Sequence, residues 1–170
     1  MAAVALVNSA VGPDTMTSLA ELDAFFHRHA YTNTSAHDAA ALAAVRALRT
    51  PLRTLLTSER DPAAEIVNRI LVEHTAVPQL VRHGGTDWHL HAVQNDASLA
   101  EQIAVETAMA MADVIRADEL SRLGTCADPT CDGLVIDLSR NRSRRFCSTA
   151  CGNRIAVAAY RTRKAEVPPG

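Results

Sequence analysis

The 170-residue sequence has few aromatic residues and no long apolar segment. Phenylalanine, tryptophan and tyrosine make up 4% of it, although 48% of all residues are hydrophobic, with alanine prominent among them. Such a composition favours helices that pack closely through small side chains. No apolar run approaches the roughly 20 residues of a membrane-spanning helix, and the N-terminal segment lacks the basic flank of a secretory signal. We therefore expect a cytoplasmic protein without a membrane partner, formed by one buried domain and a small appendage.

Cysteine is absent from the first 125 residues, and all four cysteines lie in the last third of the chain. A secreted disulfide scaffold would distribute its cysteines through a small domain. Clustering in a chain without a signal peptide instead favours metal binding over disulfide formation.

The spacing of the cysteines suits zinc. Four residues separate Cys126 from Cys131, fifteen separate Cys131 from Cys147, and three separate Cys147 from Cys151. Two close pairs joined by a short insert supply four thiolates, which fill the coordination sphere and make one Zn²⁺ a structural rather than a catalytic ion. Four reduced, buried cysteines without metal are the alternative, and a redox switch that releases zinc is another.

Acidic residues are missing between Ser139 and Lys164, and charge is divided unevenly along the chain. Residues 1–125 hold 9 basic and 15 acidic side chains, a net charge of −6, whereas residues 126–170 hold 8 basic and 4 acidic ones, a net charge of +4. An acidic body followed by a basic segment is typical of a nucleic-acid-facing tail piece. A merely solvated basic surface is the alternative.

Hydrophobic periodicity and capping signals predict a mainly helical, α+β protein. Capping boxes begin helices at Ser18 and Ser98, and the second of these helices runs to about Ala117. Residues 35–56 predict another helix, which Pro51 should kink or split. Asp61 followed by a proline predicts the start of a further helix.

Two segments of the N-terminal part are predicted to be extended. Residues 3–8, AVALVN, predict a short strand, and the alternating segment around Gly84-Gly85 predicts a β-hairpin that Trp88 anchors on the helices. His89 and His91 share a face of the second strand, and His83 lies across the turn. These histidines could line a ligand pocket or bind a second metal; partly exposed or hydrogen-bonded packing residues are the alternative.

Gly124 ends the helical body and divides the chain into three parts. They are an N-terminal helical domain with the hairpin (1–123), a four-cysteine finger (124–165) and a frayed C-terminal tail (166–170). Within the finger, residues 133–139 predict a strand between the two cysteine pairs, and the segment after Cys151 predicts a helix. We expect a small treble-clef-like or knuckle-type zinc finger.

The segment from Cys126 to Lys164 includes SRNRSRRFCSTACGNR and resembles the CGNR zinc-finger family, whose name spells residues 151–154. Those proteins pair the finger with an N-terminal helical domain called ABATE and are regarded as stress-induced transcriptional regulators. ALVN near the N-terminus resembles the opening strand of that domain, and DWHLHA resembles its central hairpin. Many members have four residues between the last two cysteines, where this chain has three. The resemblance implies that the four cysteines are zinc ligands.

Basic residues flank the second cysteine pair on both sides. The candidate nucleic-acid-binding residues are Arg140, Arg142, Arg144, Arg145, Asn153, Arg154, Arg161, Arg163 and Lys164. At helical spacing, one broad side of the predicted helix carries Asn153, Arg154, Val157, Tyr160, Arg161 and Lys164. Ile155, Ala159 and Thr162 lie nearly opposite and are expected to pack on the cysteine turns. A zinc-held basic helix beside an arginine loop suits major-groove reading with phosphate contacts, so double-stranded DNA is the expected partner.

A structural role is the alternative for each of these residues. Arg144 or Arg145 could offset the negative charge of a zinc tetrathiolate, and Arg154 could form a hydrogen bond across the cysteine turn. Asn153 could cap backbone groups at the start of the helix.

Patterns of recognised catalytic sites are also missing: we find no Ser/His/Asp set in a familiar context, no phosphate-binding glycine loop and no carboxylate pair placed for acid–base work. We therefore expect a zinc-dependent transcriptional regulator and not an enzyme. Its N-terminal domain would sense a small-molecule effector or form a homodimer, since one finger contacts few base pairs. A zinc-stabilised protein-interaction adaptor is the alternative, and an enzyme that uses the three hairpin histidines is a third reading.

Overall fold

The structure, a computed structural model, describes residues 2–32, 34–82, 87–94 and 96–166, the last without the side chain of residue 166. Its helices are α1 (Ala2–Asn8), α2 (Leu19–Arg28), α3 (Ala39–Ala47), α4 (Arg49–Thr57), α5 (Arg60–Glu73), α6 (Leu99–Arg116) and α7 (Thr149–Glu166). Its strands are β1 (Gln79–Val81), β2 (His89–His91), β3 (Leu123–Thr125) and β4 (Leu134–Ile136), and a 3₁₀ turn spans Leu120–Arg122. The strands form two antiparallel pairs, β1–β2 and β3–β4. The predicted mainly helical α+β class is confirmed.

The first element is a helix, and the strand predicted for residues 3–8 is wrong. α1 buries Val4, Leu6 and Val7 against α4 and α6, in the middle of the helical core. A lone strand at that place would leave its backbone N–H and C=O groups without partners, whereas a helix pairs them internally. A short apolar run does not distinguish the two by periodicity. The opening strand implied by the family resemblance is likewise a helix here.

The capping box predicted at Ser18 is confirmed, and of the one predicted at Ser98 the structure shows the serine cap. The N–H of Glu21 donates to Ser18 Oγ at 3.3 Å, and the N–H of Ser18 donates to Glu21 Oε2 at 2.9 Å, which completes a capping box. At the start of α6, the N–H of Glu101 donates to Ser98 Oγ at 3.2 Å. Caps of this kind stabilise a helix by about 1 kcal/mol each.

The helix predicted for residues 35–56 is two helices, α3 and α4, which meet at Leu48. Pro51 lies in the first turn of α4, has no N–H to donate to the carbonyl of Ala47 and therefore interrupts the hydrogen-bond ladder there. Asp38 caps α3 by accepting from the N–H of Ala41 at 2.8 Å, so the preceding residues stay outside the helix. The start predicted for α5 is two residues late, because Asp61 was expected to cap the helix and Pro62 to be its first residue, whereas the helix begins at Arg60 and accommodates its proline in the first turn.

Strand β4 belongs to two hydrophobic cores. Leu134, 2% exposed, and Ile136 pack with the helical core, whereas Val135 between them packs with Cys126 and Cys151. Successive residues of a strand point to opposite faces, so one short strand can serve both sides. A shared strand therefore attaches the cysteine-containing segment to the helical domain.

Strands β1 and β2 form the predicted hairpin, but Trp88 does not anchor it. Trp88 is 62% exposed, and Leu80 and Leu90, which face each other across the strands, are exposed as well. His89 and His91 alternate with Leu90 and are partly buried. The predicted inward face of the hairpin is therefore wrong, because the histidine side and not the tryptophan side is the more buried. The predicted Gly84-Gly85 turn lies outside the described residues.

None of the helices in the described ranges is long and apolar enough to cross a membrane. Residue 166 of the predicted tail is the last residue of α7, and residues 167–170 lie outside the described part of the chain.

Candidate metal centre and basic surface

The four cysteine side chains converge on one point. Their Sγ atoms all lie within 4.8 Å of one another, with 3.5 Å between Cys131 and Cys147 and 3.7 Å between Cys147 and Cys151. Four thiolates at about 2.3 Å from a tetrahedral Zn²⁺ are roughly 3.8 Å apart, so this arrangement suits zinc. None of the four cysteines forms a disulfide. Across the described residues, no other group of three or more Cys, His, Asp or Glu side chains converges in this way.

Each pair of cysteines is held by its own local structure. Cys126 follows β3 and Cys131 lies shortly before β4, and the turn between them is closed by the N–H of Cys131 donating to Asp128 O at 2.9 Å. The second pair is a loop residue, Cys147, and a helical one, Cys151. α7 begins at Thr149, earlier than the sequence predicts, so Cys151 lies in its first turn. The helix dipole favours a thiolate at that position.

Backbone N–H groups surround the sulfur atoms. Gly133 donates to Cys131 Sγ at 3.4 Å, and Cys147 donates to Cys126 Sγ at 3.5 Å. A Cβ atom on Gly133 would lie 2.7 Å from Cys147 Sγ, so the close approach of this backbone requires glycine. Such donors stabilise the net negative charge of a tetrathiolate site and orient its ligands.

The acidities of the thiols fit a site that needs a cation. Burial and the neighbouring sulfurs raise the pKa of Cys147 to about 12, because a thiolate there is poorly solvated. The hydroxyl of Ser148, 3.4 Å from the sulfur, lowers the pKa of Cys151. Cysteine binds zinc as thiolate, so metal binding at this site releases protons that the thiols otherwise keep.

Asp128 and Arg154 connect the two cysteine pairs. Asp128 is 1% exposed and accepts hydrogen bonds from the N–H and hydroxyl of Thr130 and from Arg154 Nε, the last at 2.6 Å. Thr130 and then Arg154 lower the pKa of Asp128 to about 2. A terminal nitrogen of Arg154 also donates to Cys151 Sγ at 3.3 Å. The structural alternative for Arg154, a hydrogen bond across the cysteine turn, therefore has a geometric basis.

Two acidic residues hold the arginine-rich loop between β4 and Cys147. Asp137, which is buried, accepts from the backbone N–H groups of Ser139 at 2.8 Å and Arg144 at 2.7 Å. Glu119 accepts from the guanidinium of Arg142 at 2.7 Å. The side chain of Arg144 donates to Cys147 O at 3.3 Å. Arg142 and Arg144 thus have partners within the protein, which the sequence did not indicate.

The remaining basic candidates are exposed and have no salt bridge or side-chain hydrogen bond within the described part of the chain. We call them the unpartnered cations: Arg140, Arg145, Arg161, Arg163 and Lys164. Asn153, in the first turns of α7, is also exposed. The sequence treats all nine candidate nucleic-acid-binding residues alike, whereas the structure separates those that have partners within the protein from those that do not.

Most of α7 is in contact with solvent. Every described side chain after Ile155 is exposed, including Tyr160 at 59%. The expectation that Ala159 and Thr162 pack on the cysteine turns is wrong, because the small core around the cysteines ends near the start of the helix. An 18-residue helix is about 27 Å long, and only its beginning packs against the rest of the finger.

The hairpin histidines do not form a complete site within the described residues. The rings of His89 and His91 lie 4.9 Å apart, and His89 Nδ1 is 2.7 Å from the carbonyl oxygen of Asp87. Among the described residues no third metal-binding side chain joins them, and His83 lies outside that part of the chain. A pocket around these histidines stays a prediction.

Sequence reasoning missed Asp128, Asp137 and Glu119 as supports of this region. For Asp128 a usable signal exists, because it is an acidic residue inside the turn between Cys126 and Cys131. Asp137 and Glu119 each have one near partner, Ser139 and Arg122, but their contacts with Arg144 and Arg142 span 7 and 23 residues, respectively, and no local pattern indicates those.

Comparison with known families gives two matches along the chain. ABATE, described as "Putative stress-induced transcription regulator", matches residues 1–118. The CGNR zinc finger matches residues 122–164. Comparison with curated proteins found no match. The two family matches confirm the resemblance seen in the sequence.

Proposed function

The chain belongs to the ABATE family and carries a CGNR zinc finger, and we propose from this that it is a zinc-dependent transcriptional regulator that binds double-stranded DNA. The observation that carries the proposal is the set of unpartnered cations on the loop and helix that the cysteine cluster holds. An arginine that is already paired with an acidic side chain of the protein binds a phosphate less well. The unpartnered cations have no such pairing and can bind DNA phosphates.

Charge and shape both support contact with a duplex. No acidic residue lies between Ser139 and Lys164, so this part of the loop and helix itself presents no negative side chain to a phosphate backbone, and the nearby Glu119 and Asp128 are paired with Arg142 and Arg154. The exposed face of α7 suits the major groove, which admits a single helix. In this proposal Asn153 faces base edges at the start of the helix, and the unpartnered cations contact phosphates on either side. Arg154 supports the metal site and contacts DNA only with its exposed portion, since Asp128 and Cys151 hold two of its nitrogens.

The N-terminal domain is proposed to supply regulation rather than catalysis. It would bind an effector or a second copy of the chain, in a cytoplasmic regulator that responds to stress. A single finger reads few base pairs, so useful specificity favours a homodimer on two half-sites. A monomeric mass at micromolar concentration would contradict the dimer.

The test of DNA binding starts with selection of fragments from random DNA by the zinc-loaded protein. Binding to an enriched duplex is then measured against salt concentration for the wild type and for an Arg145→Ala/Arg161→Ala/Lys164→Ala variant. Each lost phosphate contact reduces the slope of log affinity against log salt by about 0.9, so the slope should decrease by about 2.7 in the variant.

A matched control removes the same charge elsewhere. The variant Arg28→Ala/Arg69→Ala/Arg82→Ala replaces three exposed arginines of the N-terminal domain and should keep the wild-type slope. Equal slopes for all three proteins would refute phosphate contact by the finger. Failure to enrich any sequence would refute specific regulation while leaving the zinc site intact.

A protein-interaction adaptor is the second candidate, and the exposed apolar side chains of α7 favour it. Val157 and Tyr160 lie on the exposed helix beside basic residues, a surface that an acidic partner protein with an apolar patch could cover. Salt-sensitive capture of a protein by the wild type but not by Tyr160→Ala, together with no duplex binding, would favour the adaptor over the DNA-binding regulator.

A further inference from the structure

A cavity of about 250 Å³ lies where the helical domain meets the finger. Helices α1, α4 and α6 and the side chain of Tyr31 line it on the domain side. Leu123 of β3 and Ile136 of β4 line it on the finger side. These two residues are register partners in the β3–β4 pair, so one wall of the cavity is the finger's own sheet.

The size and walls of the cavity suit a small, mainly apolar molecule. A cavity of about 150 Å³ holds benzene, so this one accommodates a single ring with a short side chain. Met111 is buried in its wall beside the apolar residues of the sheet. Burial of apolar surface against such walls supplies the larger part of binding in small-molecule sites, and a few polar groups set orientation.

The ionisable acid of this cavity is Glu106, beside the hydroxyl-bearing Tyr31 and Thr107. Within the described residues it has no salt bridge, and its one hydrogen bond comes from Gln102 Nε2 at 2.8 Å. Tyr31, itself buried, lines the same cavity. Burial raises the pKa of Glu106, and the hydrogen bond from Gln102 and the nearby His89 partly oppose this rise. Burial, together with the negative charge of Glu106, also raises the pKa of Tyr31. A carboxylate with so few partners is stabilised by a cation placed against it.

We propose that this cavity binds a small organic ammonium ion, a primary amine on an apolar body of about one ring. The amine lies against the carboxylate of Glu106, and the body packs on Met111, Leu123 and Ile136. An anionic ligand would face the carboxylate with like charge, and a wholly apolar one would bury the carboxylate without a counter-ion, with only the hydrogen bond from Gln102. Only an ammonium group supplies both a positive charge and hydrogen-bond donors to this carboxylate.

Occupancy of the cavity affects the finger through the shared sheet. Leu123 and Ile136 contact the ligand on one side, and Val135, between Leu134 and Ile136, packs with the cysteine cluster on the other. A ligand that buttresses this sheet stabilises the arrangement that holds α7. This coupling rests on the proposed regulatory function, whereas the binding site itself does not.

The test uses the zinc-loaded full chain without DNA and three probes of similar size: 2-phenylethylamine, neutral 2-phenylethanol and anionic 3-phenylpropionate. Titration calorimetry should give saturable one-to-one binding of the amine with a Kd below about 1 mM, and binding at least about tenfold weaker for the other two. Glu106→Gln should remove that preference. Glu65→Gln, the same change at an exposed position of α5, should retain it.

Three results would overturn the site. They are equal affinity for the amine and the alcohol, wild-type amine binding by a folded Glu106→Gln protein, and no binding of any probe up to about 10 mM. Coupling has a separate readout, because the amine should slow hydrogen exchange of the β4 amides by at least about threefold. Amine binding that leaves this exchange unchanged would refute the coupling alone. Since no DNA is present, failure of duplex binding would count against the proposed function and not against the cavity.

Discussion

Replacing Asn8 by alanine is expected to loosen the attachment of the finger to the helical domain. The side chain of Asn8, at the end of α1, donates to Leu134 O at 2.8 Å and accepts from the Leu134 N–H at 2.7 Å. The amide therefore pairs both polar groups of one residue of β4, much as a neighbouring strand would. These two hydrogen bonds join residues that are 126 positions apart in the sequence.

The expected loss in the free energy of unfolding follows from the two backbone groups of Leu134 that the substitution leaves without a partner. Each hydrogen bond contributes about 1 kcal/mol, and a buried backbone group left without a partner costs about 1–3 kcal/mol. Leu134 is 2% exposed, so water replaces the lost amide poorly. We expect Asn8→Ala to lower the free energy of unfolding by about 2–4 kcal/mol. Asn68→Ala, at an exposed position of α5, serves as the control and should stay within about 0.5 kcal/mol of the wild type.

Two measurements test this prediction. The first is urea unfolding of the zinc-loaded proteins, and the second is the rate at which a chelator removes zinc from the folded proteins. Asn8→Ala should lower the urea midpoint and accelerate zinc release, because β4 also packs on the cysteine cluster. A change in unfolding free energy below about 0.5 kcal/mol, or zinc release at the wild-type rate, would refute the view that Asn8 secures the finger.

Three further substitutions test the metal centre and the helical core. Gly133→Ala should weaken zinc retention in chelator competition, because its Cβ would meet a cysteine sulfur at 2.7 Å, whereas Gly124→Ala, with open space around it, should not. Arg154→Ala should reduce zinc affinity by about 10- to 100-fold, as expected for loss of a residue that orients a ligand; affinity equal to wild type would contradict this role. Arg49 holds the pKa of Asp14 well below its ordinary value of 3.8, so this group stabilises the fold above that pH and the contribution is lost as pH falls towards the folded-state pKa. The stability difference between wild type and Asp14→Asn in urea should accordingly be larger at about pH 6 than at about pH 3, and a difference that does not vary with pH would count against the Asp14–Arg49 contact.

Features with local causes were predictable from sequence. The capping box at Ser18 and the serine cap at Ser98 act within one turn of helix, and the interruption near Pro51 follows from a missing N–H. Two short spacings bring the members of each cysteine pair close together, and this local pattern is the signal that pointed to the metal centre. The family resemblance rests on the same stretch, since the CGNR motif contains one of these cysteines and the arginine that braces it.

Features that depend on distant partners were not predictable. Trp88 directly precedes β2 and His89 begins it, but only the tertiary structure decides which of these neighbouring side chains is the more buried. The segment AVALVN fits a strand and a helix equally well, and its position inside a helical core selected the helix. The arginines near Cys147 look alike in sequence, yet Arg142 contacts Glu119 whereas Arg145 has no partner among the described side chains.

The sequence by itself determined the helical class, the main caps and the four cysteines of the metal centre, because each depends on residues that lie close together along the chain. Tertiary structure alone decided how the finger is joined to the domain, since Asn8 and Leu134 come together only in the folded chain. It also decided which cations stay available to a partner and where a cavity opens beside Glu106. Both are properties of surfaces assembled from distant segments, and no local pattern encodes them.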